Sequence, residues 1–348
     1  MNLDEKIKLL SRLGEILNAI GKDQKWPGFQ IGINEEEYEN LAELVNRVHI
    51  YNGWFTPAAV RTAFLGIASW LNEADLSNWM KHYSVNENNP KSVALIMAGN
   101  IPLVGFHDFI SVFLGGHKAV VKLSSDDKQL FPALIDTMAL FNPEIKNWVD
   151  IKENRLEGFD AVIATGSDNS ANYFESYFGK YPNIIRKNRT SIALLKGDET
   201  KEELEKLGED VFTFFGLGCR NVSQVWIPKD FDVNRIFEAF YRFNEVANHN
   251  KYANNYDYNK AVYLLNLENL LDNGFILFKE DRGLNSPLGM LHIARYDSME
   301  DFKAFAKENE AKIQAIVGKD HIPFGSAQCP SLSDYADGVD TVKFVTNI

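Results

Sequence analysis

The sequence predicts an α/β protein: a helical N-terminal section followed by two lobes, each a parallel sheet wrapped by helices. Three observations lead there. Apolar residues recur at helical spacing through residues 1 to about 85. From Val93 onward, short continuous apolar runs alternate with helical stretches, as in a doubly wound sheet covered on both faces. After Ser191-Ile192-Ala193-Leu194-Leu195 the alternation resumes less regularly, so the break between lobes falls near residues 186–200.

The N-terminal helices follow from Leu3, Ile7, Leu10, Leu13, Ile16 and Leu17, then from Tyr38, Leu41, Leu44, Val45 and Val48. A third spans 57–71, with Pro57 in its first turn. Glu35-Glu36-Glu37 reads as a solvated helix start. The turn-rich stretch 85–90 closes this section. Strands are then expected at 93–98, 119–121 and 159–164, each followed by a helix, at 104–114, 130–141 and 171–178. In the second lobe, helices are expected at 202–215, 233–246 and 299–308. Strands are expected at 191–195, 224–227, 275–278, 288–293, 313–317 and 341–345.

Composition narrows the function. The chain has 348 residues, 45% of them hydrophobic, with 24 Phe, 13 Tyr and 6 Trp, enough for large cores. Its 48 acidic and 36 basic residues leave a net charge of −12, which argues against nucleic acid as a partner. No apolar run is long enough to span a bilayer, and the charged start Met1-Asn2-Leu3-Asp4-Glu5-Lys6 is unlike a signal peptide. Two cysteines make no disulfide framework, and the seven histidines show no ligand spacing, so a reducing, cytoplasmic protein without a metal is expected.

One cysteine stands in a setting suited to chemistry. Cys219 lies in Phe214-Phe215-Gly216-Leu217-Gly218-Cys219-Arg220-Asn221, read as a flexible glycine-bracketed turn leading into a helix. A helix start and Arg220 would both favour its thiolate, the form that attacks acyl carbons. Cys329, before Pro330 and without a following helix, ranks well below it. A small buried hydrophobe is the other reading of Cys219.

Three turns after the first-lobe strands carry further polar groups. Asn100, in Gly99-Asn100-Ile101-Pro102, is either an oxyanion donor or a helix cap. Lys122, Ser124 and Ser125 follow the second strand, where a lysine suits a ribose or phosphate oxygen but also suits open solvent. Thr165, Gly166 and Ser167 follow the third, where small residues permit a pyrophosphate to approach a helix, or simply cap it. His107, just past Asn100, reads as a helix-surface histidine.

The order of these turns, N-x-P, K-x-S, T-G-S and then a cysteine about fifty residues later, resembles the aldehyde dehydrogenase superfamily. The nearest likeness is to its acyl-CoA reductase branch, which includes the fatty-acid reductase of bacterial luminescence. Asn285-Ser286-Pro287-Leu288 is similar to that family's second-lobe cofactor loop, and Ile322-Pro323-Phe324-Gly325 to its closing segment. The resemblance covers about residues 90–345.

It implies two Rossmann-type α/β lobes behind the helical section. Residues 1–190 would hold the helices and the cofactor domain, and 191–320 the catalytic domain. Residues 321–348 would return to the cofactor domain or join an oligomerisation sheet. Cys219 would be the nucleophile and Asn100 the oxyanion donor. Lys122, Ser124, Ser125, Thr165, Gly166, Ser167 and Pro287 would line the cofactor. A homodimer or homotetramer is implied as well.

Departures from the family sharpen the expectation. The family's water-activating glutamate would fall in Asn183-Ile184-Ile185-Arg186-Lys187-Asn188-Arg189-Thr190, which has no acid. A thioester on Cys219 would then await a hydride or a thiol rather than water. Ser125 stands where NAD-preferring members often carry an acid that would repel a 2′-phosphate, which leans toward NADP. The acid expected before Pro287 has only offset candidates, Glu280 and Asp281. The resulting expectation is NADPH-dependent reduction of an acyl-CoA. Acyl-phosphate reduction, aldehyde oxidation and a catalytically silent binding protein are the alternatives.

Overall fold

The computed structural model describes residues 1–348, the side chain of Asp168 excepted. The backbone divides into two compact units, Met1–Lys187 with Ser331–Ile348, and Asn188–Pro330.

The first unit opens with α1 (Leu3–Gly21), α2 (Glu35–Arg47), α3 (Pro57–Trp70) and α4 (Glu73–Met80). Their starts are chemically marked. Asn2 with Glu5 and Asn34 with Glu37 form reciprocal capping boxes, and Thr56 caps α3 ahead of Pro57. The parallel sheet follows: β1 (Ser92–Ile96), α5 (Phe106–Leu114), β2 (Lys118–Lys122), α6 (Leu130–Phe141), β3 (Val149–Ile151), β4 (Ala161–Thr165), α7 (Asp168–Phe178) and β5 (Asn183–Arg186).

Its strand order is β3-β2-β1-β4-β5, all parallel, with Leu95 level with Val121 and Ile163. One sheet face shares a single core with Leu10, Leu13, Phe64, Phe109 and Phe113, so the N-terminal helices belong to this unit's core. The other face packs Ala94, Val162 and Ala164 against Phe174 and Phe178 of α7.

The second unit contains β6 (Thr190–Leu194), α8 (Lys201–Phe212), β7 (Val222–Pro228), α9 (Asn234–Phe240), α10 (Asn250–Leu265), β8 (Leu271–Asp272), β9 (Leu277–Glu280), β10 (Met290–Tyr296), α11 (Met299–Glu308) and β11 (Ile313–Val317). Its sheet order is β11-β6-β7-β10-β9-β8, parallel except for the short β8 against β9. Ile192, Trp226, Ala294 and Phe302 are buried together on one face.

Two expectations fail here, each for a physical reason. The strand expected at 341–345 is a helix, α12 (Thr341–Thr346), in the first unit. Asp340 caps it, accepting from the Lys343 N–H, and Val342 and Val345 bury one face against α5. Tertiary burial overrides the β-branched bias. Cys219 leads into β7 rather than a helix, so the helix start expected to favour its thiolate is not there. In addition α10, which the apolar pattern did not announce, buries only Tyr252 and Tyr256.

Candidate active site

In a doubly wound sheet the ligand crevice lies beyond the carboxyl ends of the strands, where the strand order reverses. In the first unit that point is between β1 and β4. The Asn100 turn leaves β1 on one side of it, the Thr165-Gly166-Ser167 turn leaves β4 on the other, and Lys122 ends the neighbouring β2. The first unit therefore gathers Asn100, Lys122, Ser124, Ser125 and Thr165–Ser167 at one edge of three adjacent strands.

The details qualify each residue. Asn100 is exposed and is not the cap of α5, whose first residue follows Gly105 with no side-chain cap. Gly99 is needed because a Cβ there would lie 2.7 Å from the Ser124 side chain. The first and second turns are thus in van der Waals contact. Ser125 is exposed. The Lys122 Nζ donates to the carbonyls of Glu153 and Asn154 in the loop after β3, the latter at 2.6 Å.

Ser167 caps α7, its Oγ accepting from the Ser170 N–H at 3.2 Å. A Cβ on Gly166 would lie 2.9 Å from Phe174 and Ser170. A bare backbone turn, a helix start and a lysine at the point of strand reversal fit a dinucleotide.

In the second unit, Cys219 and the loop holding Pro287 meet at the amino ends of β7 and β10, level with each other through the pairing of Gln224 with His292. Cys219 is exposed and makes no disulfide. The turn before it has a strained backbone. Phe214, Phe215 and Gly216 have φ of 52°, 58° and 81°, three successive residues in the left-handed region. For two phenylalanines this stores about 1–2 kcal/mol each. Phe215 stacks on His249, with ring centroids 4.3 Å apart.

Asn221, which the sequence did not single out for chemistry, holds this geometry. It is 3% exposed, and its Nδ2 donates to the carbonyls of Asp210, Val211 and Thr213 at the end of α8. Its Oδ1 accepts from the Gly218 N–H at 2.8 Å. The Ser191 Oγ donates to the Cys219 carbonyl at 3.0 Å. The Arg220 guanidinium reaches the Ala327 carbonyl at 3.2 Å, in the segment leading to Cys329.

Asp210 organises that same segment. It is 1% exposed, its Oδ2 accepts from Gly325 N–H at 2.7 Å and its Oδ1 from Ala327 N–H at 2.8 Å. Burial outweighs these bonds and pushes the carboxyl up to about 6. Crowding of its sulfur, then Asp210 and Glu209, raise the Cys329 thiol, against Arg220. That disfavours Cys329 as a nucleophile.

Pro287 opens a turn closed by Met290 N–H on its carbonyl at 3.0 Å. Its loop is pinned from beneath: Gln224 Nε2 and His292 Nδ1 both meet the Gly283 carbonyl, at 3.0 and 2.6 Å, and Ser223 Oγ donates to Leu284 at 2.6 Å. Neither offset acid stands free for a cofactor. Glu280 pairs with Arg295 at 2.7 Å, and Asp281 accepts from Gly283 N–H and pairs with Lys279.

His107 is half-buried rather than on the surface. It is ringed by Trp70, Trp79 and Tyr335, with Nε2 3.0 Å from the Leu332 carbonyl. In the acid-free segment 183–190, Arg186 is buried against Asp108 and Thr341. Among the described residues, no group of three or more His, Cys, Asp or Glu could hold a metal, and no helix is long and apolar enough to cross a membrane.

No protein-family model matches the sequence, and no curated protein matches it. Solved structures do match the fold. An aldehyde dehydrogenase from Physcomitrella patens, in complex with its product succinate, is 12% identical with a TM-score of 0.64, covering 100% of this chain and 84% of its own. A putative aldehyde dehydrogenase from Burkholderia cenocepacia is 13% identical, with a TM-score of 0.62 over 91% of this chain and 74% of its own. The aldehyde dehydrogenase of Mycobacterium tuberculosis complexed with NAD+ is 13% identical, with a TM-score of 0.60 over 88% and 71%. The chain therefore has the aldehyde dehydrogenase fold.

Proposed function

We propose that this chain is an oxidoreductase of the aldehyde dehydrogenase type that reduces an acyl-CoA to the aldehyde with NADPH. The observation that carries the reading is Cys219: an exposed thiol on a strained turn fixed by Asn221 and Ser191, in a fold shared with aldehyde dehydrogenases. Strained backbone that its surroundings hold in place clusters at active sites and ligand clamps.

The Cys219 Sγ attacks the acyl carbonyl carbon, and the oxygen takes the negative charge. In this reading the donors to that oxyanion would be the Cys219 backbone N–H and, as the family resemblance implies, the Asn100 amide. The bond to the CoA sulfur breaks, CoA leaves as its thiolate, and the acyl group remains as a thioester on Cys219. A nicotinamide cofactor, when bound, supplies the hydride that converts this thioester to the aldehyde and frees Cys219. Lys122 and the turn Thr165–Ser167 would hold its ribose and pyrophosphate, and Pro287 would flank it. The segment 183–190 has no acid to activate water, which favours hydride transfer over hydrolysis. Exposed Ser125 leaves room for a 2′-phosphate, hence NADPH over NADH.

Oxidation of a free aldehyde is the second reading, favoured by neighbours that are named dehydrogenases. NADPH consumption with acyl-CoA and with acyl phosphate, run beside NADP+ reduction with aldehyde, separates these chemistries. Turnover with acyl-CoA alone is expected. A silent binding protein predicts no turnover and no labelling of Cys219 by iodoacetamide at neutral pH that acyl-CoA protects against.

A further inference from the structure

Asp127 joins the first two turns of the crevice edge, and no motif points to it. It follows Lys122-Leu123-Ser124-Ser125-Asp126 and is 6% exposed. Its Oδ2 accepts from the Leu103 N–H at 2.8 Å, inside the turn that begins at Asn100. Leu103 has φ 60°, a left-handed conformation that costs a leucine about 1–2 kcal/mol. Its side chain is 6% exposed. Two restraints therefore hold the strained backbone three residues from Asn100: burial of the leucine and the hydrogen bond to Asp127.

The rest of the surroundings make the two turns one body. Gly99 touches Ser124, and the Asn52 Nδ2 donates to the Asp126 carbonyl at 3.2 Å. The other Asp127 oxygen, Oδ1, is buried without a hydrogen-bond partner. Burial, outweighing the backbone N–H groups of Leu103 and of Leu130 at the start of α6, pushes the carboxyl up to about 6. A buried carboxylate hydrogen-bonded to a residue held in a strained backbone conformation is the pattern of a functional support.

We propose that Asp127 is a positioning residue, which holds the Asn100 turn through Leu103 so that the Asn100 amide is pre-organised for the oxyanion. The inference rests on the acyl-transfer reading above and extends it to a residue that touches neither substrate nor cofactor.

The test uses the full chain, an acyl-CoA and no nicotinamide, and follows thioester formation on Cys219 by intact mass. Asp127→Ala should slow acylation about tenfold or more, approaching the loss of one oxyanion donor. Asp127→Asn, which keeps an acceptor for Leu103, should recover most of the rate. In an Asn100→Ala background, Asp127→Ala should add less than about twofold, because its effect passes through Asn100. An equal slowing with and without Asn100 overturns the proposal, as does a full wild-type rate in Asp127→Ala. If the wild type forms no thioester, the acyl-CoA reading fails, and hydrogen exchange over residues 99–105 decides the positioning claim. Faster exchange confined to that stretch in Asp127→Ala sustains it, and unchanged exchange overturns it.

Discussion

Asp210→Asn should change the pH dependence of stability more than stability itself. Asp210 is 1% exposed and its carboxyl lies at about 6, raised from 3.8 by burial. A raised carboxyl binds its proton more tightly folded than unfolded, so its contribution is fully present below the ordinary carboxylate range and is lost as pH rises through about 6. Two pKa units correspond to about 3 kcal/mol in all, of which roughly 2 kcal/mol is lost between about pH 4.5 and about pH 7.5. Asparagine does not titrate, and it can accept from only one of the Gly325 and Ala327 N–H groups, a constant loss of about 1–2 kcal/mol. The stability advantage of wild type over the variant should therefore fall by roughly 2 kcal/mol from about pH 4.5 to about pH 7.5, on top of that constant offset. Urea unfolding at both pH values, followed by hydrogen exchange in the β6, β7 and β10 peptides, reads the second unit separately. Asp127 titrates over the same range in both proteins and cancels. A difference between wild type and variant that is flat with pH, or that widens toward high pH, would refute the assignment.

Three further outcomes follow from the same geometry. Asp108→Ala leaves Arg186 charged and buried and should cost the first unit about 3–5 kcal/mol in urea unfolding. Asn221→Ala removes three donations to the end of α8 and the acceptor for Gly218, and should cost about 2–3 kcal/mol while slowing Cys219 acylation. Ser125→Glu should raise the KM for NADPH about tenfold or more with little effect on NADH, measured by steady-state kinetics. A smaller change would remove Ser125 from the cofactor reading.

Much of the architecture was legible because its signal is local. Val93-Ala94-Leu95-Ile96 and Ala161-Val162-Ile163-Ala164 are unbroken apolar runs, as strands buried on both faces must be. The Asn100, Lys122 and T-G-S turns could be placed at strand ends for the same reason, and the structure puts them beside the β1/β4 reversal. What pairwise contact decides stayed hidden. Val342 and Val345 look like strand residues until α5 is there to cover them. The turn at Cys219 reads as glycine-loosened, yet Phe214 and Phe215 carry the left-handed backbone, and it is tied down by Asn221, bonded to carbonyls 8 to 11 residues earlier, and by Ser191, 28 residues before Cys219. His292 is a single polar letter among apolar ones, and Asp127 and Asp210 stand beside other acids that are not buried. Only their burial shows that each holds a loop in place.

The central claim is that Cys219 is a nucleophile whose acyl-enzyme waits for hydride. Intact mass of the protein mixed with an acyl-CoA, before and after NADPH is added, tests it most directly. A mass gain equal to the acyl group, absent in Cys219→Ala and discharged as aldehyde only when NADPH arrives, is the predicted result. No gain, a gain that persists in Cys219→Ala, or discharge to the free acid without NADPH would contradict it.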